Sequence, residues 1–197
     1  MINYSTINSN LKRGILKFSE KISKKFSKPN MKFICNMIYG ILSSKSCLLS
    51  EIARNLHENI SLRKTVTRLS RNLNDFNHGE TLFEEYLKTI KNRYTDKSIL
   101  IIDGSDITKP ASTKLEGLCE VRDGSTGEIG TGYHTIGAAV LSDKKLPYGV
   151  YSGIYSSREK NFISEDEEIL NCFEFLSNHF SKSNIRTMDR GYDCNTY

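Results

Sequence analysis

Long apolar runs are missing from this chain of 197 residues, since no segment approaches the roughly 18–20 residues that a membrane-spanning helix requires. The first 30 residues are polar and basic, and they lack the apolar core of a secretory signal. These absences predict a cytoplasmic protein without a membrane partner. Tryptophan is also absent, yet an apolar content of 38% is compatible with a folded core.

Cysteine occurs in a pattern that does not favour cross-linking. The five cysteines are odd in number and widely scattered, and no Cys-x-x-Cys pair occurs. Reduced thiols are therefore predicted rather than a disulfide framework or a structural zinc site. A phosphate-binding loop is not expected either, because the glycine-rich stretch Asp123–Gly127 is not followed by the lysine that such a loop needs.

Acidic residues are scarce in the first half of the chain and common in the second. Residues 1–30 carry a net charge of +6 and residues 31–98 carry +4, whereas residues 99–197 carry −5. This asymmetry suggests a nucleic-acid-binding region attached to a metal-dependent core. We predict a basic arm over residues 1–30, a helical DNA-binding region over 31–96 and an α/β domain over 97–197. A solvated, partly disordered arm is the alternative for the first part.

The basic region contains two short predicted helices joined by a tight turn. Leu48–Leu56 is predicted to be a helix with Ser50 as its N-cap, and Ser61–Leu73 a second helix capped by Ser61. The pair resembles a helix-turn-helix, in which the second helix enters the major groove of double-stranded DNA. The residues predicted to contact DNA from that helix are Arg63, Lys64, Arg68 and Arg71.

The other side of the second helix is predicted to face the interior. Its apolar residues are Leu62, Val66, Leu69 and Leu73. A small helical bundle whose basic face binds nothing is the alternative interpretation. Further amphipathic helices are predicted over Asn30–Leu42 and Glu80–Tyr94.

Two aspartates close apolar runs in the acid-rich half. Asp103 ends the run Ser98–Asp103, and Asp189 ends the run Ile185–Asp189. An apolar run that stops at an aspartate is typical of a buried strand that places a carboxylate at the end of a sheet. Two such carboxylates at neighbouring strand ends can hold divalent metal for phosphoryl transfer, so both are predicted to be metal ligands and catalytic residues.

The segments between the two aspartates are predicted to form a hairpin and then a helix. Tyr133–Leu141 and Leu146–Tyr155 are the predicted strands of the hairpin. Ser164–Phe180 is a predicted helix, with Ser164 as its N-cap and four acidic residues in its first turn. The order is strand, strand, strand, helix, strand, with an acid after the first and the fourth strand.

This order, with acids at those positions, resembles the ribonuclease H-like core of DDE transposases. The local sequence resembles the transposases of bacterial insertion sequences in the IS-four superfamily, over roughly residues 98–197 with a weaker echo upstream. The segments that carry the resemblance are Asp103–Pro110, Leu115–Leu118, Val121–Glu128, Gly132–His134 and Asp189–Tyr192.

The resemblance implies a transposase that cleaves and transfers DNA strands with Mg²⁺ or Mn²⁺. Its first two catalytic acids fall on Asp103 and Asp189, while the third, a glutamate on a later helix, has no counterpart in this sequence. The expected fold is a helical DNA-binding region followed by a truncated ribonuclease H-like mixed sheet that is inactive alone. Arg190 is expected to contact a DNA phosphate. The expected partners are transposon ends and a second copy or an intact transposase, at the nucleoid.

Two other functions remain open. A non-catalytic fragment that binds transposon ends would inhibit an intact transposase. A haloacid-dehalogenase-like phosphatase also begins with an apolar strand and an aspartate, but it needs Asp-x-Asp, and two residues separate Asp103 from Asp106 here. Asp106 is also the alternative metal ligand to Asp103, and Asp193 competes with Asp189. His134 is expected to be a strand residue near the site.

Overall fold

The computed structural model describes residues 4–124 and 126–189, and the chain divides into two compact units, residues 1–89 and 90–197. The first unit is helical and the second is built on a mixed sheet, so the protein is of the mixed α/β class. The described helices are α1 (Tyr4–Ser23), α2 (Lys28–Ser44), α3 (Leu49–Leu56), α4 (Leu62–Asp75), α5 (Gly79–Ile90) and α6 (Glu165–His179).

Helices α2, α3 and α4 share an apolar core in the first unit. Phe33 of α2, Ile52 and Ala53 of α3 and Leu69 of α4 are all buried there. Gly40 of α2 lies against Ile52, and a Cβ at this glycine would collide with that side chain. The close approach of α2 and α3 therefore depends on the missing side chain at Gly40.

The part of the chain predicted to be a basic arm contains helix α1 and the start of α2. Ser19, Ile22 and Ser23 are buried where α1 packs on α2. The Ser19 hydroxyl donates to the carbonyl of Ile15 at 2.8 Å, and the Ser23 hydroxyl donates to the carbonyl of Ser19 at 2.6 Å. Both buried hydroxyls are thus satisfied within the helix, which lets these small residues pack closely.

Helix α4 buries only part of its predicted inner face and adds Thr65 to it. Thr65 and Leu69 are buried, whereas the predicted inner residues Leu62 and Leu73 are 40% and 51% exposed. The predicted inner face is therefore right for Leu69 and for Val66, which packs against the core, but wrong for Leu62 and Leu73. Thr65 occupies the interior instead because its hydroxyl has a partner, Glu58.

The ends of the helices also differ from the sequence predictions. Helix α3 follows Leu48 as its N-cap residue, and the predicted cap Ser50 lies inside the helix. Ser61 occupies the N-cap position of α4 but makes no side-chain cap hydrogen bond. Helix α5 stops at Ile90 and is followed by a 3₁₀ turn over Lys91–Arg93, where a continuous helix was predicted.

The second unit is organised around a mixed sheet. Its described strands are β1 (Ile99–Thr108), β2 (Cys119–Arg122), β3 (Ile129–Leu141), β4 (Pro147–Tyr155) and β5 (Arg186–Met188). The long strand β3 pairs antiparallel with β1, β2 and β4, while β5 pairs parallel with β1 on the other side. The predicted hairpin is therefore present as β3 and β4, and β2 is an additional strand that the sequence did not indicate.

Strand β1 does not end at Asp103, as was predicted from the apolar run. It continues to Thr108, and this second half pairs with β3 from Asp103 opposite Gly137 to Thr108 opposite Gly132. Pairing with the 13-residue strand β3 supplies the hydrogen bonds, so a polar sequence remains extended here.

Helix α6 covers one face of the sheet. Its buried residues Ile169, Cys172 and Leu176 lie on the side of β3 and β4, where Val140 and Val150 are fully buried. The predicted cap at Ser164 is confirmed, since its hydroxyl accepts a hydrogen bond from the backbone N–H of Glu167 at 3.1 Å. Burial raises the pKa of the Cys172 thiol to about 11, which keeps it protonated at neutral pH.

Among the residues that the structure describes, no single helix is long and apolar enough to cross a membrane. In the part of the chain that the structure describes, one pair of helices, α2 and α3, reaches that length and composition when taken together, and the two are bent by 97° relative to each other. Both helices contribute to the apolar core of the first unit.

Candidate acidic site and nucleic-acid interface

Asp103 lies on the face of the sheet opposite α6. Along β1, Leu100 and Ile102 are buried, whereas Ile101, Asp103 and Ser105 are exposed. This alternation follows the two-residue period of a strand and directs the Asp103 carboxylate away from the core. The sheet therefore presents Asp103 to solvent from the middle of a strand whose other face is anchored.

Asp189 directly follows β5, the short strand that runs parallel to β1. The register pairs Ile102 with Met188, so one further step places Asp189 beside Asp103. Adjacent strands lie about 4.8 Å apart, and register partners project to the same face. Both aspartates are exposed. Continuing the parallel register by one residue therefore makes the two predicted site residues neighbours at the point where β5 ends beside β1.

Asp106 lies on the opposite face from Asp103 and has a different partner. It is the cross-strand neighbour of His134, and the His134 Nδ1 and Asp106 Oδ1 atoms are 2.8 Å apart. A carboxylate only accepts hydrogen bonds, so Nδ1 carries the proton and donates it. The alternative in which Asp106 replaces Asp103 as metal ligand therefore lacks support from the geometry, because its carboxylate is directed to the other face.

His134 belongs to an aromatic cluster at the start of α6. Its ring stacks on that of Tyr155 with 5.4 Å between centroids, and Tyr155 stacks on Phe162 with the ring planes 6° apart. The Tyr155 hydroxyl donates to Glu165 Oε1 at 3.4 Å. These contacts give His134 a structural role on the α6 face, away from the two exposed aspartates.

The exposed face around Asp103 forms a shallow depression of about 480 Å³. Its lining combines apolar residues with hydroxyl groups, namely Ser105, Thr135 and Ser152. Ile154 on this face is 62% exposed, and Ile101 beside Asp103 is 39% exposed. Helix α6 packs on the other face of the sheet. No described helix of the second unit therefore covers this surface.

The donor set at the two aspartates fits a hard divalent cation. Carboxylate and hydroxyl oxygens are the ligands that Mg²⁺ and Mn²⁺ prefer. Among the described residues, no group of three or more His, Cys, Asp or Glu side chains could hold a metal ion, so Asp103 and Asp189 are a pair without a third acid. A metal ion held there would keep several coordination positions for water or phosphate oxygens.

Part of the predicted motif lies outside the described residues. Arg190, which was predicted to contact DNA, and Asp193, the competitor of Asp189, both belong to the segment 190–197 that the structure does not describe. The predictions for these two residues therefore stay predictions.

The basic residues of α4 divide into two groups. Arg63, Lys64 and Arg71 are exposed, and together with Ser61, Thr67, Arg68 and Asn72 they line a surface depression of about 670 Å³. Arg68 is half-buried, and its Nη2 atom donates to Glu58 Oε2 at 2.7 Å. The four predicted DNA contacts thus include three solvent-facing cations and one that is paired within the protein.

Glu58 sits in the turn between α3 and α4 and accepts two hydrogen bonds from α4. Besides Arg68, Thr65 Oγ1 donates to the same Oε2 atom at 3.1 Å. Partial burial alone would raise the pKa of Glu58, but the hydrogen bond and charge of Arg68, helped by Thr65 and Lys32, lower it overall. The sequence signal that could have found this network was the acid in the turn, ten residues before Arg68.

A comparison of the chain with protein-family models finds no match, and a comparison with curated proteins finds none either. Assignment of a function therefore depends on the two sites themselves: an exposed pair of aspartates on a mixed sheet, and an exposed basic helix in the other unit.

Proposed function

We propose that the chain is a DDE transposase related to those of the bacterial IS-four superfamily, acting on double-stranded DNA. The observation that carries this proposal is the parallel pairing of β1 with β5 up to Ile102 and Met188, since the next residue after each of these is an exposed aspartate, Asp103 or Asp189. Carboxylates at neighbouring positions of two strands can hold the divalent metal that assists phosphoryl transfer.

The topology of the second unit supports a ribonuclease H-like core. Apart from the additional short strand β2, the first strand, the hairpin, the helix and the last strand follow one another in the order expected from the resemblance. The last strand returns parallel to the first and adjacent to it, which is what a helix crossover allows. The two acids therefore come from strands that are distant in sequence but neighbours in the sheet.

Asp103 and Asp189 would hold Mg²⁺ or Mn²⁺. Such a metal would supply activation of the attacking water or 3′-hydroxyl and stabilisation of the leaving oxygen of the phosphodiester. The protein's own contribution is to fix the two carboxylates on a paired sheet, with the buried residues Leu100 and Ile102 anchoring β1 beneath them. A rigid strand pair holds ligand positions more precisely than a loop does.

The helical unit would supply DNA binding. Residues 1–89 contain 15 lysines and arginines against 7 acidic residues, a net charge of +8. The exposed cations Arg63, Lys64 and Arg71 lie on one helix that follows a short helix and a tight turn. Such a helix can enter the major groove and contact phosphates or guanine edges.

The metal proposal is tested by measuring Mn²⁺ binding to the full chain by calorimetry, with Asp103→Asn and Asp189→Asn as variants. We expect each to weaken Mn²⁺ binding by at least about tenfold, because a single carboxylate remains. Asp106→Asn is the matched control, since it neutralises an acid three residues away on the other face. Circular dichroism verifies that each variant is folded.

The same variants test phosphodiester chemistry on duplex DNA with Mn²⁺. Metal-dependent nicking or strand joining that is lost in Asp103→Asn and Asp189→Asn but kept in Asp106→Asn would support a transposase. If Asp103→Asn and Asp189→Asn bind Mn²⁺ as tightly as the parent chain, the assignment of a metal site to these two aspartates is wrong.

Binding of transposon ends without cleavage is the second candidate function. It is favoured by the absence of a third acid near Asp103 and Asp189 among the described residues. Salt-dependent DNA binding combined with no nicking in the presence of Mn²⁺ would select this function. Such a protein would compete with an active transposase for its DNA ends.

A further inference from the structure

The four cations predicted on α4 are in two different environments. Arg63, Lys64 and Arg71 face solvent, and no ion pair to a described residue is formed by any of them. Arg68 instead donates to Glu58 at 2.7 Å, and the two side chains are only 30% and 22% exposed. A guanidinium whose charge is already compensated has less to gain from a phosphate than an exposed one.

Glu58 connects the α3–α4 turn to the body of α4. The turn begins at His57, which has a left-handed backbone with φ of 48°, and it ends before Leu62. From this turn, the Glu58 carboxylate accepts hydrogen bonds from the buried Thr65 hydroxyl and from the Arg68 guanidinium. These contacts lie one and nearly two helical turns into α4, so they fix the direction and rotation of the helix relative to the turn.

This network also accounts for the face that α4 buries. Thr65 is 2% exposed, and its hydroxyl donates to Glu58. This hydrogen bond offsets the cost of burying a polar group on the inner face of α4. Rotating α4 so that Leu62 and Leu73 pointed inward would remove both contacts to Glu58. The rotation that is observed places Arg63, Lys64 and Arg71 outward together.

We infer that Glu58 and Arg68 are a positioning pair, which sets the rotation of α4, and that Arg63, Lys64 and Arg71 make the phosphate contacts. This inference rests on the proposed DNA-binding function of the helical unit. It divides the basic face into contact residues and one positioning residue, although all four are cations at helical spacing. Arg68 acts on DNA only through the orientation of the helix.

The test measures binding of the full chain to a fluorescent duplex by anisotropy, from 50 to 200 mM salt. Replacing Arg63, Lys64 or Arg71 by Ala should each reduce the slope of log K against log salt by about 1, as the loss of one phosphate contact does. Arg68→Ala should weaken binding about threefold to tenfold and leave the slope unchanged. Arg68→Lys should restore most of the affinity, because one donor suffices for the single contact to Glu58.

The Glu58→Gln variant distinguishes the effect of helix positioning on DNA binding from the effect of net charge. It adds one positive charge to the protein, so electrostatics alone predicts tighter binding to DNA. A positioning role predicts weaker binding, by about the same factor as Arg68→Ala, with no additional loss in the double variant. Glu85→Gln is the matched control, since it removes a carboxylate paired with Lys25 in the same unit, on α5. This control should bind as tightly as the parent chain or slightly tighter.

Two results would overturn the inference while leaving DNA binding intact. One is a decrease in slope for Arg68→Ala equal to that for Arg63→Ala, which would make Arg68 a phosphate contact. The other is tighter binding by both Glu58→Gln and Glu85→Gln. A parent chain that shows no salt-dependent binding would instead contradict the proposed function itself.

Discussion

Single residues in the second unit have roles that depend on which face of the sheet they occupy. Asp103 and Asp106 are three residues apart, and the two-residue period of β1 sends them to opposite faces. Asp103 is exposed next to Asp189, whereas Asp106 is hydrogen-bonded to His134. The chemical difference between two identical side chains therefore follows from strand parity alone.

The lowered pKa of Glu58 predicts a pH-dependent contribution to stability. A carboxyl whose folded pKa lies below its usual value of 4.5 stabilises the fold above that pH, and this contribution is lost as the pH falls through the lowered value. In urea unfolding at neutral pH, Glu58→Gln should be less stable than the parent by about 1 kcal/mol, since the pair is partly exposed.

Lowering the pH should remove this difference. As the pH falls from 4.5 through the lowered pKa of Glu58, the parent loses this charge, and the two unfolding curves should converge. Glu84→Gln gives the comparison for an exposed ion pair, since Glu84 and Lys88 are 62% and 58% exposed, and it should be close to the parent throughout. A difference between Glu58→Gln and the parent that stays constant down to pH 3 would show that the carboxylate charge is not what stabilises the α3–α4 turn.

At the scale of elements, two glycines in helices of the first unit are predicted to respond oppositely to alanine. Gly40→Ala should destabilise the protein by about 1–3 kcal/mol, because the new Cβ would collide with the buried Ile52 side chain and force α2 and α3 apart. Gly14→Ala in α1 should stabilise it by about 0.5–1 kcal/mol, since open space surrounds that position and alanine favours the helix.

Thermal unfolding measures both changes, and Gly14→Ala is the control for helix propensity. If Gly40→Ala were as stabilising as Gly14→Ala, the inference that α2 and α3 approach closely at Gly40 would be wrong. This pair also tests the first unit independently of any function.

Elements with a strong local pattern were predictable from the sequence, and those that depend on pairing were not. The hairpin strands and the Ser164 cap of α6 are signalled by alternation and by a serine before four acids. The second half of β1 is polar, and only its pairing with β3 makes it a strand. Strand β2 has four residues, too few to show a period.

The residues of the candidate site were predictable from the sequence, but their positions relative to each other were not. The apolar runs before Asp103 and Asp189 mark both residues in the sequence. Their meeting depends on the parallel register of β1 and β5, which no local signal gives. On α4, the spacing of cations identified a basic face, but the burial of Thr65 and the pairing of Arg68 both depend on Glu58 in the preceding turn.

The whole molecule has a segregated charge. Residues 1–89 carry a net +8, whereas residues 90–197 carry 13 basic and 16 acidic residues, a net −3. The total of +5 therefore understates the positive field of the helical unit. If that unit binds DNA, affinity depends on where the cations lie and not on the net charge of the chain.

This location dependence can be tested with two triple variants of equal charge. Replacing Arg63, Lys64 and Arg71 by Ala should lower the slope of log K against log salt by about 3 for duplex DNA. Replacing three exposed lysines of the other unit by Ala changes the net charge identically and should leave the slope nearly unchanged; these are Lys144, Lys145 and Lys160. Anisotropy titrations of the full chain from 50 to 200 mM salt give both slopes. Equal changes in the two variants would mean that DNA responds to net charge alone, and α4 would then be an ordinary solvated face of a helical bundle.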